Sequence, residues 1–209
     1  MAAARSDQPH PRSKRDLILR LAAEEFGRHG FDATKWATIA DSAGIGGTAL
    51  YHYFESKTHC LFTLMLDSYE GWYEKWSSCL ASSDDPVEAI LGAVSATFQF
   101  TEFETVKNRL LVNEQGKLST LQTAGREQQV QAEALRVSRR IEALWISYLS
   151  DAMDAGTLPR RDPRLLAHSI IGLLQSVWAW YRPSGKYTLA DLDTFYRDNV
   201  RALLRGPTR

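Results

Sequence analysis

The sequence predicts an all-α fold of about nine helices: an N-terminal three-helix head carrying a helix-turn-helix, then a larger C-terminal helical core. Three observations predict it. Residues 35–57, KWATIADSAGIGGTALYHYFESK, read as two short helices joined by a glycine-bearing turn. Apolar residues recur at helical spacing over the remainder, and strand signals are absent. Prolines and glycines gather at the breaks, around Pro86, from Gly156 to Pro163, and at Pro183 and Gly185.

Taken in order, residues 1–13, with Pro9 and Pro11, are expected to form a flexible tail. The stretch from Lys14 to Phe31 holds the first helix, whose pattern is taken up below. Ile39, Ala40 and Ala43 then place one apolar stripe at i, i+1, i+4 on a second helix. Gly44 can take the left-handed conformation that ends it, with Ile45 plugging the turn from inside. A third helix starts near Gly46, carrying Thr48, Tyr51, His52 and Tyr53, with Leu50 and Phe54 on its core side. A helix pair of this form lays its second member in the major groove of DNA.

A long strut is expected from about Ser56 to Leu80, rich in aromatics at Tyr69, Trp72, Tyr73 and Trp76. Ser82-Ser-Asp-Asp-Pro86 interrupts it and puts proline in the first turn of the next helix. Further helices are expected near 86–102, 104–115, 121–155, 163–182 and 189–204. The last two carry more apolar surface than one core face needs. One has Leu165, Leu166, Ile170, Ile171, Leu173, Leu174 and Val177, the other Leu192, Phe195, Tyr196, Val200, Leu203 and Leu204.

The N-terminal quarter resembles the TetR family of bacterial transcriptional repressors. Ile18-Leu19, Ala22, Phe26 and Gly30-Phe31 match the family's first-helix pattern. Ile39-Ala40, Ala43-Gly44-Ile45, Leu50-Tyr51-His52-Tyr53-Phe54 and Ser56-Lys57 match the pattern that follows. Departures occur at Gly46, where Ser or Thr is usual, at Thr48 and Ala49, and at Lys35-Trp36. Glycine as a helix cap costs only a few tenths of a kcal/mol relative to Ser or Thr but brings no hydroxyl to a phosphate. The resemblance implies a helix-turn-helix domain over 14–58 and a ligand-binding and dimerisation domain over 59–209. It also implies a homodimer through the last two helices and a double-stranded operator as partner. Dimerisation agrees with the head, because two recognition helices one helical turn apart, ~34–36 Å, read a palindrome that one head could not hold tightly.

For base edges the expected residues are Thr48 and Tyr51, with Gly47 admitting the backbone close to the groove. His52, Tyr53 and Lys57 are expected at phosphates, and Thr34 or Lys35 adds a contact from the preceding helix. Tyr51 and Tyr53 are equally compatible with packing. The formal net charge of +0 is low for a DNA-binding protein, so the footprint must be local. Arg5, Arg12, Lys14, Arg15 and Arg20 crowd the N-terminus, while Lys35 and Lys57 bracket the helix-turn-helix. Both a solvated arm and a DNA-reaching one fit this distribution.

A regulator of this kind needs a signal, and a small apolar ligand is expected in the core. Candidate lining residues are Tyr69, Trp72, Trp76, Phe98, Phe103, Trp145, Tyr148 and Trp178, each also suited to simple core filling. The stretch Trp178-Ala-Trp-Tyr-Arg-Pro-Ser-Gly, and Asn108-Arg-Leu-Leu followed by Glu114, resemble the branch of the family that senses acyl-CoA thioesters. Trp178 and Arg182 are expected as i, i+4 neighbours on one helix face, an indole and a guanidinium for the adenine or phosphates of CoA at a pocket mouth. The other assignment for Arg182 is a charge capping the helix C-terminus.

Several classes are disfavoured. Gly44-Ile-Gly-Gly-Thr-Ala49 matches the dinucleotide fingerprint literally, but a helix precedes it where a strand is required. No nucleophile elbow or HExxH pair occurs, so no catalysis, metal or cofactor is expected. Cys60 and Cys79 lie about five turns apart on one helix, too far to pair. No apolar run reaches ~18 residues and no signal-peptide core is present, which makes the cytoplasm the expected compartment. The remaining alternative is a helical protein-interaction module with a vestigial DNA-binding head.

Overall fold

A computed structural model describes residues 13–120 and 123–206; the predicted flexible tail, apart from Ser13, lies outside them. Among the described residues the chain forms nine helices and no strand. They are α1 (Lys14–His29), α2 (Trp36–Ser42), α3 (Gly47–Tyr53), α4 (Lys57–Leu80), α5 (Pro86–Ala96), α6 (Glu102–Thr120), α7 (Gly125–Asp154), α8 (Pro163–Trp180) and α9 (Leu189–Arg205). None of these helices is long and apolar enough to cross a membrane.

The head forms for the reasons its sequence suggests. Ser13 caps α1 by accepting the amide of Asp16, and α1 buries Ile18, Leu19, Ala22, Ala23 and Phe26 in one core with Ile39, Ala40, Leu50 and Phe54. At the end of α2, Gly44 takes φ +64°. The amide of Ile45 donates to Ala40 O (3.1 Å) and that of Gly44 to Asp41 O (3.0 Å). These paired bonds satisfy the last carbonyls of α2 and aim the chain into α3.

α4 joins head to core. Its first turn is capped by Ser56, and its length buries Leu61, Leu64, Met65, Tyr69, Trp72 and Trp76. Trp76 stands edge-on to Trp72 (4.5 Å between ring centroids) and to Trp145 (5.4 Å), so α4 and α7 share an aromatic spine. α4 also packs on α5 and α6, α8 on α6 and α7, and α9 on α5.

Several boundaries differ from the sequence expectation. α5 stops at Ala96, and the next residue, Thr97, donates its hydroxyl to Ala93 O while accepting the indole N–H of Trp76. α6 begins at Glu102 through a reciprocal cap: Thr101 Oγ1 accepts the amide of Glu104, and Glu104 Oε2 accepts that of Thr101. α8 ends at Trp180, since Tyr181 is extended (ψ 138°) two residues ahead of Pro183. The expected helix to 182 is therefore shortened.

Candidate functional site

The third helix presents two different faces. Leu50 and Phe54 are fully buried, whereas Gly46, Gly47, Thr48, Tyr51 and His52 lie exposed, Tyr51 to 54%. Gly46 and Gly47 have ordinary negative φ, and a Cβ at either would meet nothing within 4 Å. The fold does not require glycine there; what the two glycines leave is open backbone at the start of the helix. Tyr53 is half-buried against the hydrophobic core, so its ring serves packing first.

Two expected contacts prove committed elsewhere. Thr34 is buried, and its hydroxyl donates to Gly30 O (2.8 Å) and Glu25 O (3.2 Å), closing the end of α1. Lys57 points its ammonium into the α1–α2 loop, donating to Phe31 O (2.7 Å), Thr34 O (2.9 Å) and Asp32 O (3.2 Å). In the chain without DNA these side chains satisfy orphaned carbonyls at the end of α1 and in the α1–α2 loop. Lys35 remains exposed at the start of α2. Among the other cations counted towards DNA, Lys14 donates to Ala43 O (3.1 Å), Arg15 stacks over Phe54 and Arg20 over Phe103. Arg5 and Arg12 lie outside the described residues.

The α3–α4 turn is tied to the first turn of α7. Glu55 accepts from Arg126 Nε (3.0 Å) and from the amide of Glu127 (3.2 Å), and Ser56 donates to the Glu127 carboxylate. The Arg126 hydrogen bond, aided by the amide of Glu127, holds the Glu55 carboxyl below the usual range. Buried His59 accepts the amide of Glu55 at Nδ1 (3.1 Å) and lies edge-on to Phe54. Movement of α7 would thus reach the end of α3 directly.

Farther along α4 a cavity of about 260 Å³ opens between α4, α6, α7 and α8. Tyr69, Trp72 and Trp76 form one wall, with Leu111 and Ile141 opposite and Glu142 and His168 among the polar residues. Trp72 Nε1 donates to Asn108 Oδ1 (2.8 Å), which fixes the indole edge. Glu142 accepts from Arg164 (3.1 Å) and pairs with His168 (2.9 Å). Burial pushes the Tyr69 phenol up, opposed by a hydrogen bond with Ser138.

The family profile described as bacterial regulatory proteins, tetR family, matches residues 18–64. That of the tetracyclin repressor-like C-terminal domain matches residues 84–204, more than half of the chain. The chain belongs to the TetR family. This TetR-family regulator is 28% identical over 182 residues to the HTH-type transcriptional repressor KstR2 of Mycolicibacterium smegmatis, covering 84% of this chain and 82% of the relative. With KstR2 of Mycobacterium tuberculosis H37Rv it shares 26% over 185 residues, 88% of this chain and 89% of the other. The solved ketosteroid regulator KstR2 of M. tuberculosis matches with a TM-score of 0.75 at 24% identity, over 95% of this chain and 98% of that one. AibR, solved with isovaleryl coenzyme A and operator DNA, matches with 0.72 at 20%, over 94% and 100%. These structural likenesses show the fold.

In this TetR-family protein the expected ligand residues separate into groups. Tyr69, Trp72 and Trp76 line the cavity. Trp145 is fully buried behind Trp76, and Phe98 packs against Tyr196 (5.3 Å), so both fill core. Phe103 sits on the α1 side between Arg20 and Lys107, and Tyr148 lies towards Asp85, which together with burial pushes its phenol up. Trp178 is fully buried beside Phe100 (5.5 Å). Arg182 stands beyond the end of α8 and donates to Tyr181 O (2.9 Å). The expected shared helix face of Trp178 and Arg182 is corrected: one side chain is core and the other caps the helix end. The polar lining of Gln115, Ser138, Glu142, His168 and Gln175 carries no sequence signal of its own, because these residues come together only through the packing of α4, α6, α7 and α8.

Proposed function

We propose that the protein is a transcriptional repressor that binds a palindromic operator as a homodimer and releases it when an apolar small molecule enters the α4–α8 cavity. The observation that carries this reading is the two-faced third helix. Leu50 and Phe54 anchor it, while Gly47, Thr48, Tyr51 and His52 stand free for a groove, joined by Lys35 from α2. Thr48 and Tyr51 would meet base edges, and His52 and Lys35 phosphates. The domain boundary falls in the first turn of α4, between 58 and 59.

The ligand half of the proposal rests on Tyr69, Trp72, Trp76, Leu111 and Ile141 around one cavity. Its volume of about 260 Å³ suits an acyl chain or one small ring system, leaving any larger polar part outside. An acyl-CoA thioester fits that division, and the related fold of AibR is solved with one. The named KstR2 relatives are repressors, which supports repression here.

Fluorescence anisotropy on duplexes selected from random DNA, with and without a panel of acyl-CoA thioesters and free acids, tests the whole reading. Tight, salt-sensitive binding to a palindrome, relieved by one thioester, is the expected result, and Tyr51→Ala should abolish it in a folded protein. Binding that no thioester relieves would remove the thioester and keep the regulator. Failure to select any sequence would favour the vestigial head.

A further inference from the structure

A second cavity, of about 370 Å³, lies at the seam between head and core. α1 supplies Phe26 and Gly27, and α6 supplies Val106, Arg109, Leu110 and Asn113. It shares no lining residue with the α4–α8 cavity, although α6 is a wall of both. The two helices touch closely beside it: a Cβ on Gly27 would stand 2.9 Å from Val106 Cγ1.

The charges around this space are unevenly satisfied. Glu24, which also lines it, pairs with Arg28 (3.0 Å), and Glu114 pairs with Lys117 (3.4 Å). Among the described residues Arg109 has no such partner, and its Nε is buried without a hydrogen-bond acceptor. Burial lowers its affinity for its proton, and the charge acting in the same direction is Arg182, another cation. Arg109 is half-buried at the cavity lining, and a carboxylate is the group whose two oxygens match its guanidinium fork.

We propose that the α1–α6 seam is a second ligand site, taking a small apolar monocarboxylate whose carboxylate is held by Arg109. Phe26, Val106 and Leu110 supply an apolar wall for the rest of the molecule. Because α1 carries the head and α6 belongs to the core, an occupant bridges the two and fixes their angle. The seam ligand therefore acts on DNA binding by a route separate from the α4–α8 cavity.

Octanoate titrated into the full chain, with octanamide as the uncharged control, tests this by ¹H–¹⁵N correlation of arginine Nε–H and tryptophan indole N–H groups. The Arg109 signal, assigned by its loss in Arg109→Lys, should move downfield with octanoate and stay unmoved by octanamide. Arg109→Gln should weaken octanoate about 10- to 100-fold, the worth of a hydrogen bond to a charged group. Asn113→Trp, at an exposed position, should block the same cavity with the charge intact. Octanoate that shifts the Trp72 and Trp76 indoles but not Arg109 would place it in the α4–α8 cavity and overturn the proposal. Equal binding of octanamide, or no shift with either compound, would overturn it as well.

Discussion

Lys57 sits with its ammonium 2.7 Å from the carbonyl oxygen of Phe31 and 4.5 Å above the centre of the Phe31 ring. The first residue of the strut helix thereby closes the loop behind α1, with Asp32 O and Thr34 O as further acceptors. Removing the ammonium leaves three carbonyls to find other donors. Lys57→Met should cost about 1.5–3 kcal/mol, the range for a hydrogen bond to a charged group. In a chain of this size that is a fall in melting temperature of about 3–12 °C. The salt dependence of DNA binding should keep its slope, since this charge is engaged inside the protein. A shallower slope at unchanged melting temperature would return Lys57 to the phosphate backbone.

His59 gives the head–core junction a pH dependence. As acceptor of the Glu55 amide, Nδ1 must carry no proton. Burial is the main cause that lowers its pKa from the ordinary 6.5, aided by Arg126 and Arg15 and opposed by Glu55 and Glu127. The unfolded chain therefore takes up this proton at a higher pH than the folded one. The associated stability is complete above 6.5 and is lost as pH falls through the lower folded value. Glu55, whose pKa is lowered from 4.5, loses its contribution in a more acidic window. Melting temperature scanned downward from pH 7.5 should decline below about 6.5, and His59→Gln should flatten that part of the curve. Parallel curves for the two proteins would refute the assignment.

Gly27 is where α1 and α6 approach most tightly. In isolation, glycine to alanine inside a helix stabilises by about 1 kcal/mol. Here the added carbon would lie 2.9 Å from Val106 Cγ1, and overpacking of this kind costs about 1–3 kcal/mol. Gly27→Ala should therefore destabilise the wild-type chain yet stabilise Val106→Ala, a reversal of sign readable by urea unfolding of the four proteins. Stabilisation in both backgrounds would mean that Val106 rotates away freely.

How far the sequence was legible depended on whether the signal was local. The end of α2 could be read because Gly44 and Ile45 carry their own turn chemistry, and both bonds form as that chemistry requires. The start of α6 is equally local, since Thr101 and Glu104 stand at capping-box spacing and form both bonds of the box. Lys57 could not be assigned that way, because its acceptors lie 23–26 residues away. For the ligand site, aromatic content alone does not separate Trp72, at the cavity wall, from Trp178, sealed in the core. Only the packing of α4, α6, α7 and α8 makes that distinction. The placing of Arg182 depends on where α8 ends: the helix stops at Trp180, two residues short of it, so Trp178 and Arg182 do not share a helix face.

α8 and α9 each bury one side against their own chain and leave another outside. Leu166, Ile170, Leu174 and Val177 are inside, as are Leu192, Tyr196, Val200 and Leu204. Leu165 remains 67% exposed and Phe195 60% exposed. Large apolar side chains standing out from both terminal helices favour burial against a second copy. Leu165→Glu combined with Phe195→Glu should shift sedimentation of micromolar protein from dimer towards monomer, because each carboxylate would be desolvated at the interface. The helical circular dichroism should hold, since neither side chain belongs to the internal core. Operator affinity should collapse in parallel, because one recognition helix then meets only half a palindrome. A double variant that still sediments as a dimer would show that the copies meet through a different face.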